Sequence, residues 1–234
     1  MADRPYTVLS CSMSIDGYID GANESRLLLS NESDFDRVDH VRAGVDAILV
    51  GATTIRNDNP RLLVRDLRRR RDRLDRGLPE HPVKVTVTQR GRLDPSRRFF
   101  ADDGSRKLVY ASSRVAEALD ERLGAVSEVV DAGDPVRMAG LASDLHRRGV
   151  RRLMVEGGGA VHTQFLADDL VDELQLVVAP FFVGEPGARR FVGEGRFPWH
   201  PGRRAVLAET RQIGDVVLLR YALSDRFEDA STAT

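Results

Sequence analysis

The chain has 234 residues, enough for one large α/β domain that buries its own core without disulfide bonds. No apolar run is long enough to cross a bilayer, and 35 basic residues balance 36 acidic ones, so neither a membrane nor nucleic acid is the expected partner. The single cysteine, Cys11, indicates a reducing, cytoplasmic setting and a buried side chain, and the five histidines lack the spacing of metal ligands, so no metal is expected.

Apolar runs of strand length alternate with helical patterns along the chain. The predicted strands are 6–14, 46–51, 83–88, 107–111, 126–130, 152–155, 174–179, 205–212 and 216–222. The predicted helices are 32–43, 114–123, 136–148 and one that begins directly after Gly159. This alternation favours a mostly parallel sheet covered on both faces, closed by a C-terminal antiparallel hairpin at Gly214-Asp215. We expect one domain over 1–223 and a flexible polar tail over 224–234.

One segment, residues 61–82, is unusually basic, with eight arginines between Arg61 and Arg76. The pattern favours a solvated helix or loop whose arginines and aspartates form surface pairs. Binding of nucleic acid would call for aromatic residues within the run, and there are none. A non-catalytic protein that binds nucleotides or nucleic acid through this run is therefore the weakest of the functional alternatives.

Three polar segments follow predicted strands and should meet at one edge of the sheet. The first, 12–20, contains the turn signal Asp16-Gly17. The second, 51–65, offers the hydroxyls of Thr53 and Thr54, then Asn57, Asp58 and Asn59, and finally Arg61 and Arg65, which share a face if that piece is helical. Arginine suits phosphate because its planar group donates two hydrogen bonds at once.

The third segment places Glu156 before the contiguous glycines Gly157, Gly158 and Gly159. Glycines between a strand and a helix let the backbone approach an anion, which then receives hydrogen bonds from the first helical amides. A tight turn that requires positive φ explains the glycines equally well. Glu156 can bond to nearby backbone amides, hold a polar ligand group, or move a proton.

Three groups of motifs together resemble one known family: SMSIDG with LLLS, DAILVGATTIRNDNPRLLVR, and LMVEGGGAV with LVDELQLVVAPFFVG. The family is the reductase domain of riboflavin biosynthesis, found as the C-terminal half of the bacterial bifunctional deaminase-reductase and as a stand-alone protein. The resemblance covers about residues 6 to 222. It implies a three-layer α/β/α, dihydrofolate-reductase-like fold, NADPH as cofactor and commonly a homodimer.

The resemblance also assigns roles to individual positions. The expected cofactor-binding residues are Met13, Leu28, Thr54, Asp58, Thr88, Gly157, Gly158, Gly159, Ala160, Val161 and His162. The expected substrate-binding residues are Arg26, Arg42, Leu62, Arg65 and Glu156, with Arg42 and Arg65 near the ribose phosphate. The reaction calls for an acid, and from its place beside the glycines we expect Glu156 to be the proton donor, with Asp58 second and a bound water as the alternative. Arg90, or the run Ser112-Ser113-Arg114, could meet a 2′-phosphate, although either could equally be a surface feature or helix cap.

The implied reaction is the NADPH-dependent reduction of a phosphorylated ribosylamino-pyrimidine to its ribitylamino product in riboflavin biosynthesis. The substrate is the least determined part of this expectation, because TQR stands at 88–90 where many family members carry an acidic residue. A reductase of the same fold that acts on a pterin, on dihydrofolate or on a natural-product intermediate stays the alternative.

Overall fold

The computed structural model describes residues 3–22 and 27–228. Arg26, one of the expected substrate contacts, lies outside the described residues. The strands are β1 (Tyr6–Ser14), β2 (Ala47–Gly51), β3 (Val83–Thr88), β4 (Lys107–Ala111), β5 (Glu128–Asp131), β6 (Arg152–Gly157), β7 (Glu173–Ala179), β8 (Val206–Ile213) and β9 (Val216–Ala222). The helices are α1 (Glu32–Ala43), α2 (Ala52–Asp58), α3 (Leu67–Asp75), α4 (Ala116–Leu123), α5 (Met138–Arg147) and α6 (Gly159–Ala167), with a 3₁₀ turn at Arg98–Phe100.

All nine strands join one sheet in the order β5-β4-β3-β2-β6-β1-β7-β9-β8. Strands β1 to β7 pair in parallel, whereas β9 pairs antiparallel with both β7 and β8. The predicted α/β fold with a C-terminal antiparallel hairpin is confirmed. Because the parallel strands run in one direction, the segments that follow them emerge at a single edge of the sheet.

Helices cover both faces of this sheet, as the three-layer prediction requires. Successive residues of a strand point to opposite faces, and β6 shows this directly. Val155 packs in a cluster that includes Leu141 of α5 and Phe165 of α6. Met154 packs on the other face in a cluster that includes Leu119 of α4. Full burial of each such side chain contributes about 1.5–3 kcal/mol, so the two clusters fix the layers. Cys11 is buried, as predicted, and burial raises the pKa of its thiol to about 12.

The arginine-rich run forms helix α3, which lies against α1. Arg69 donates to Asp36 at 2.7 Å and to Asp39 at 3.0 Å, in agreement with the predicted ion pairs. The prediction of a solvated surface is wrong for Arg73, which is 1% exposed. Its guanidinium donates to the backbone oxygen of Ala43, the last residue of α1, at 2.9 Å and to that of Val45, just beyond the helix, at 2.8 Å. The last carbonyls of a helix need donors and attract positive charge.

Two local predictions are corrected. Residues 52–58, predicted as a loop, form helix α2 directly after β2, and only Ala52 and Ile55 of that helix are buried. Residues 59–65 are not helical, and Leu62 has φ 55°, so the shared face expected for Arg61 and Arg65 does not form. In the C-terminal segment, Ser224 donates to Asp172 at 2.6 Å, while residues 229–234 lie outside the described residues.

Candidate active site at the carboxyl edge of the sheet

The second and third polar segments meet where β2 and β6, which are neighbours in the sheet, come to their ends. A Cβ atom placed on Gly158 would lie 3.2 Å from the Thr54 hydroxyl oxygen, and one placed on Gly157 would lie 3.8 Å from it. Gly157 has φ 146°, a conformation that side chains rarely adopt. The glycines therefore allow α2 to approach the β6–α6 turn closely, with Thr54 at the contact.

Helix α6 begins at this turn with its first amides uncapped. Gly158 is the N-cap residue, and none of the described side chains caps the first turn. Gly158 and Gly159 are half-buried and Ala160 is exposed, so their backbone remains accessible. The first amides of a helix carry partial positive charge and need acceptors. The turn thus has the donors that a phosphate oxygen requires.

His162 lies beneath the same turn, fully buried in the first half of α6. Its Nδ1 lies 3.1 Å from the carbonyl oxygen of Phe191, which makes Nδ1 the protonated nitrogen and leaves Nε2 as an acceptor. Nε2 is buried without a hydrogen-bond partner in the described part of the chain. A Cβ atom placed on Gly157 would lie 4.0 Å from it, which is van der Waals contact. Burial lowers the pKa of His162 to about 4, so the ring is neutral near pH 7. It offers a hydrogen-bond acceptor rather than a cation.

The first polar segment is braced against the segment that follows β7. Asp16 accepts from the backbone amide of Gly184 at 2.8 Å, and Ile19 donates its amide to the Arg189 carbonyl at 2.8 Å. The segment after β7 also covers the start of α6, because a Cβ atom placed on Gly159 would lie 2.5 Å from the carbonyl oxygen of Arg190. No role was predicted for residues 189–191, although the adjacent Arg189-Arg190 pair in a Gly/Pro-rich stretch is a signal visible in the sequence.

Arg42 and Glu156, both expected at the substrate, bind each other. The Arg42 guanidinium donates to the two Glu156 carboxylate oxygens at 2.6 Å each, and the side chains are 17% and 12% exposed. Burial acts to lower the pKa of Arg42, but the charge and hydrogen bonds of Glu156 outweigh it and raise that pKa. The pair orients a carboxylate at the end of β6, one residue before the glycine turn.

The comparisons with known proteins agree with this architecture. A family model described as the RibD C-terminal domain matches residues 5–219. The chain belongs to the RibD C-terminal domain family. The 2,5-diamino-6-ribosylamino-4(3H)-pyrimidinone 5′-phosphate reductase of Archaeoglobus fulgidus is 37% identical over 77% of this chain and 83% of its own length. The enzyme of the same name from Methanothermobacter thermautotrophicus is 34% identical over 94% of this chain and 99% of its own.

Solved structures also superpose on most of the chain. A pyrimidine reductase-like protein from Corynebacterium diphtheriae has a TM-score of 0.78 and 25% identity, and the match covers 93% of this chain and 91% of that protein. The riboflavin biosynthesis reductase Rib7 of Saccharomyces cerevisiae has a TM-score of 0.70 over 96% of this chain and 92% of its own. At 18% identity, the yeast protein supports the shared fold alone.

The other expected site residues of this RibD-family chain are spread along the same edge. Met13 is half-buried near the end of β1, and Asp58 is exposed at the last position of α2. Leu28 is exposed and lines a cavity of about 450 Å³ between the start of α1 and the end of β7. Leu62 is buried, while the Arg65 side chain is 62% exposed beside the Phe35 ring. The roles of these residues stay predictions.

Thr88 is buried, and its hydroxyl serves the turn that follows β3. It accepts hydrogen bonds from the backbone amides of Gly91 at 3.0 Å and Arg90 at 3.4 Å. Thr88 thus shapes the chain beside the site, and direct contact with a cofactor stays a prediction.

Within residues 3–22 and 27–228, no three His, Cys, Asp or Glu side chains are grouped so that they could hold a metal ion. None of the helices there is both long and apolar enough to cross a bilayer.

Proposed function

We propose that this protein is an NADPH-dependent reductase of a phosphorylated ribosylamino-pyrimidine in riboflavin biosynthesis. The observation that carries the proposal is the uncapped start of α6 packed beside Thr54, where backbone amides are available to a diphosphate. The two relatives described above bear the name of this reductase and align with most of the chain.

The residues at the glycine turn fit a dinucleotide. The amides at 158–160 would bind the diphosphate, the Thr54 hydroxyl would add a donor, and the buried Nε2 of His162 would accept from an N–H or O–H group. NADPH supplies a hydride when bound. The contribution of the protein is to hold the reacting groups together and to exclude water from them.

Glu156 and Arg65 are the side chains that we propose for the substrate. Arg42 engages both oxygens of Glu156, and the remaining lone pairs can accept from a substrate N–H or O–H. We propose this orienting role for Glu156 beside the proton-donating role expected from its position in the sequence, for which Asp58 is the second candidate. The Arg65 guanidinium lies 3.9 Å from the Asp39 carboxylate but is 62% exposed, so it has donors available to the ribose phosphate.

Steady-state oxidation of NADPH, followed at 340 nm with the pyrimidine phosphate as substrate, tests the proposal. We expect Glu156→Gln to lower kcat, because an amide cannot replace a carboxylate that accepts at both oxygens, and Arg65→Ala to raise KM for the phosphorylated substrate. Arg71→Ala is the matched control, since Arg71 is exposed on α3. Turnover left unchanged in both variants would refute the site, and much faster turnover of dihydrofolate would favour the alternative substrate class.

We also propose that the protein acts as a homodimer. Strand β8 forms one edge of the sheet, and Val206 and Leu207 on it are 65% and 52% exposed. A long edge strand with exposed apolar side chains readily pairs with another chain. Analytical ultracentrifugation should give twice the mass of one chain, and Leu207→Lys should shift the protein toward monomer.

A further inference from the structure

The cavity of about 450 Å³ between the start of α1 and the end of β7 combines apolar walls with polar side chains. The rings of Phe35 and Phe181 and the side chain of Val216 are among its walls, and walls of this kind favour a flat ring. Four polar side chains of the described chain also line it: Ser30, Asn31, Glu32 and Asp215. These four decide which hydrogen-bonding groups a bound ring can carry.

Ser30 is fixed as a hydrogen-bond acceptor by the carboxylate of Asp34, which lies in the first turn of α1. The Ser30 hydroxyl donates its hydrogen to Asp34 Oδ2. Asp34 is fully buried, and its Oδ1 accepts from Arg37 Nε at 2.6 Å, so both carboxylate oxygens are held in place. A serine hydroxyl has a single hydrogen, and Ser30 therefore has only lone pairs left for a ligand in the cavity.

The other three of these polar side chains are acceptors as well. Both hydrogens of the Asn31 amide are used, because Nδ2 donates to the Ile213 carbonyl and to Asp215 Oδ1 at 2.7 Å each. The Asn31 side-chain oxygen accepts from the Asp34 amide at 3.0 Å and keeps a second lone pair. Glu32 and Asp215 carry carboxylates, which only accept when they are ionised. A ring that fits these side chains has N–H donors along the edge that faces them.

The cavity adjoins the side chains proposed for the substrate. Phe35, which lines it, lies under the guanidinium of Arg65, 5.7 Å from the centre of the ring. Arg42, which holds Glu156, and Asp34 lie on the same helix, about 12 Å apart along its axis. A ribosylamino-pyrimidine with its phosphate at Arg65 would therefore have its ring within reach of this cavity.

We propose that Ser30 is a specificity-determining residue, which accepts a hydrogen bond from an amino group of the pyrimidine ring, and that Asp34 is its positioning residue. This inference rests on the proposed function. The 2-amino group and the adjacent ring N–H of a 2-aminopyrimidin-4-one form an edge of donors that matches the cavity. A 2-oxo group in the same place would face the lone pairs of Ser30 and leave both oxygens unpaired, a mismatch that costs about tenfold or more in kcat/KM.

Steady-state kinetics of the whole chain with two phosphorylated ribosylamino-pyrimidines, one 2-amino and one 2-oxo, test the inference. We expect the wild-type protein to favour the 2-amino compound about tenfold or more in kcat/KM. Ser30→Ala should bring the two values within about threefold of each other, whereas Ser30→Thr, which keeps the hydroxyl, should keep the preference. Asp34→Asn should shift the preference toward the 2-oxo compound. Its amide oxygen would stay with Arg37 and its amide nitrogen would donate to Ser30, which frees the hydroxyl hydrogen.

The ratio of the two kcat/KM values separates specificity from structure, because a loss of folded protein lowers both values equally. Ser33→Ala is the matched control: Ser33 is exposed at the same end of α1, does not line the cavity, and its variant should keep the wild-type ratio. A wild type without the 2-amino preference, or a Ser30→Ala variant that keeps it, would overturn the inference and leave the proposed function standing. If Asp34→Asn does not fold, the two Ser30 variants decide. A wild type that oxidises NADPH with neither compound would refute the proposed function as well.

Discussion

Two arginine-rich regions of this molecule differ in what their guanidinium groups contact. On α3, Arg69 binds Asp36 and Asp39, and Arg73 binds the backbone carbonyls of Ala43 and Val45 at the end of α1 and just beyond it. A cavity of about 380 Å³ lies after β3, and the exposed side chains of Arg90 and Arg92 that line it make no hydrogen bond or ion pair in the part of the chain that the structure describes. The first region is the denser in sequence, yet its charges are used within the fold. The comparison teaches that unpaired charge, rather than the density of charge, marks a candidate ligand site.

The largest expected effect is on the free energy of unfolding, when a buried, hydrogen-bonded arginine of α3 is removed. Arg73→Ala would leave the carbonyls of Ala43, Val45 and Pro79 without their buried donor. We expect a loss of about 3–5 kcal/mol in the free energy of unfolding, measured by urea denaturation. Arg71→Ala, on the exposed side of the same helix, should change it by less than about 0.5 kcal/mol. Equal losses in the two variants would show that Arg73 is not an internal part of the fold.

The next largest effect is expected at Gly159, where the start of α6 lies close to the backbone of Arg190. Gly159→Ala places a Cβ 2.5 Å from the Arg190 carbonyl, so the backbone at 190 must move. We expect a loss of up to about 3 kcal/mol in stability, together with weaker NADPH binding. Gly140→Ala is the control: it lies in α5 with open space around its Cβ and should stabilise the protein by about 0.5–1 kcal/mol. If Gly159→Ala behaved like Gly140→Ala, the contact between α6 and 189–191 would be wrong.

A smaller effect tests whether His162 is neutral in the folded protein. Its pKa is 6.5 when unfolded and about 4 when folded, so the unfolded chain binds more protons between these values and stability falls as pH falls. Between pH 7 and pH 5, His162 should account for a loss of about 2 kcal/mol. Urea denaturation at both pH values should therefore show a steeper decline for wild type than for His162→Gln. Parallel declines would mean that the imidazole titrates normally.

The smallest effect is expected where charge is unpaired. Arg90→Ala/Arg92→Ala removes no hydrogen bond within the described chain and relieves repulsion, so the free energy of unfolding should stay within about 0.5 kcal/mol of wild type. Thermal unfolding without ligand measures this. A substantial loss of stability would show that these guanidinium groups have a structural role, and the contrast between the two arginine regions would disappear.

Local pattern was sufficient to predict most of the fold. The bounds of β1, α1 and β9 agree with the predicted ones, because long apolar runs and a capped polar start identify such elements from neighbouring residues alone. Helix α2 was missed because it is seven residues long, lacks a side-chain cap and buries only two side chains. So short a segment has too little hydrophobic pattern of its own to identify it as a helix, and its helical structure depends on packing against the sheet.

The candidate site was predicted less completely, for a physical reason. The glycine turn is contiguous in sequence and could be found there. The Arg42–Glu156 pair joins residues 114 positions apart, and the pairing of each arginine depends on acids elsewhere in the chain. Sequence alone treated Arg90 and Arg114 as equals, whereas only the folded chain shows that Arg114 has an acidic partner.

A crystal structure of the protein with NADPH bound tests the central claim most directly. We expect the diphosphate to accept hydrogen bonds from the amides at 158–160, beside the Thr54 hydroxyl. A dinucleotide bound with its diphosphate away from the start of α6 would contradict the account.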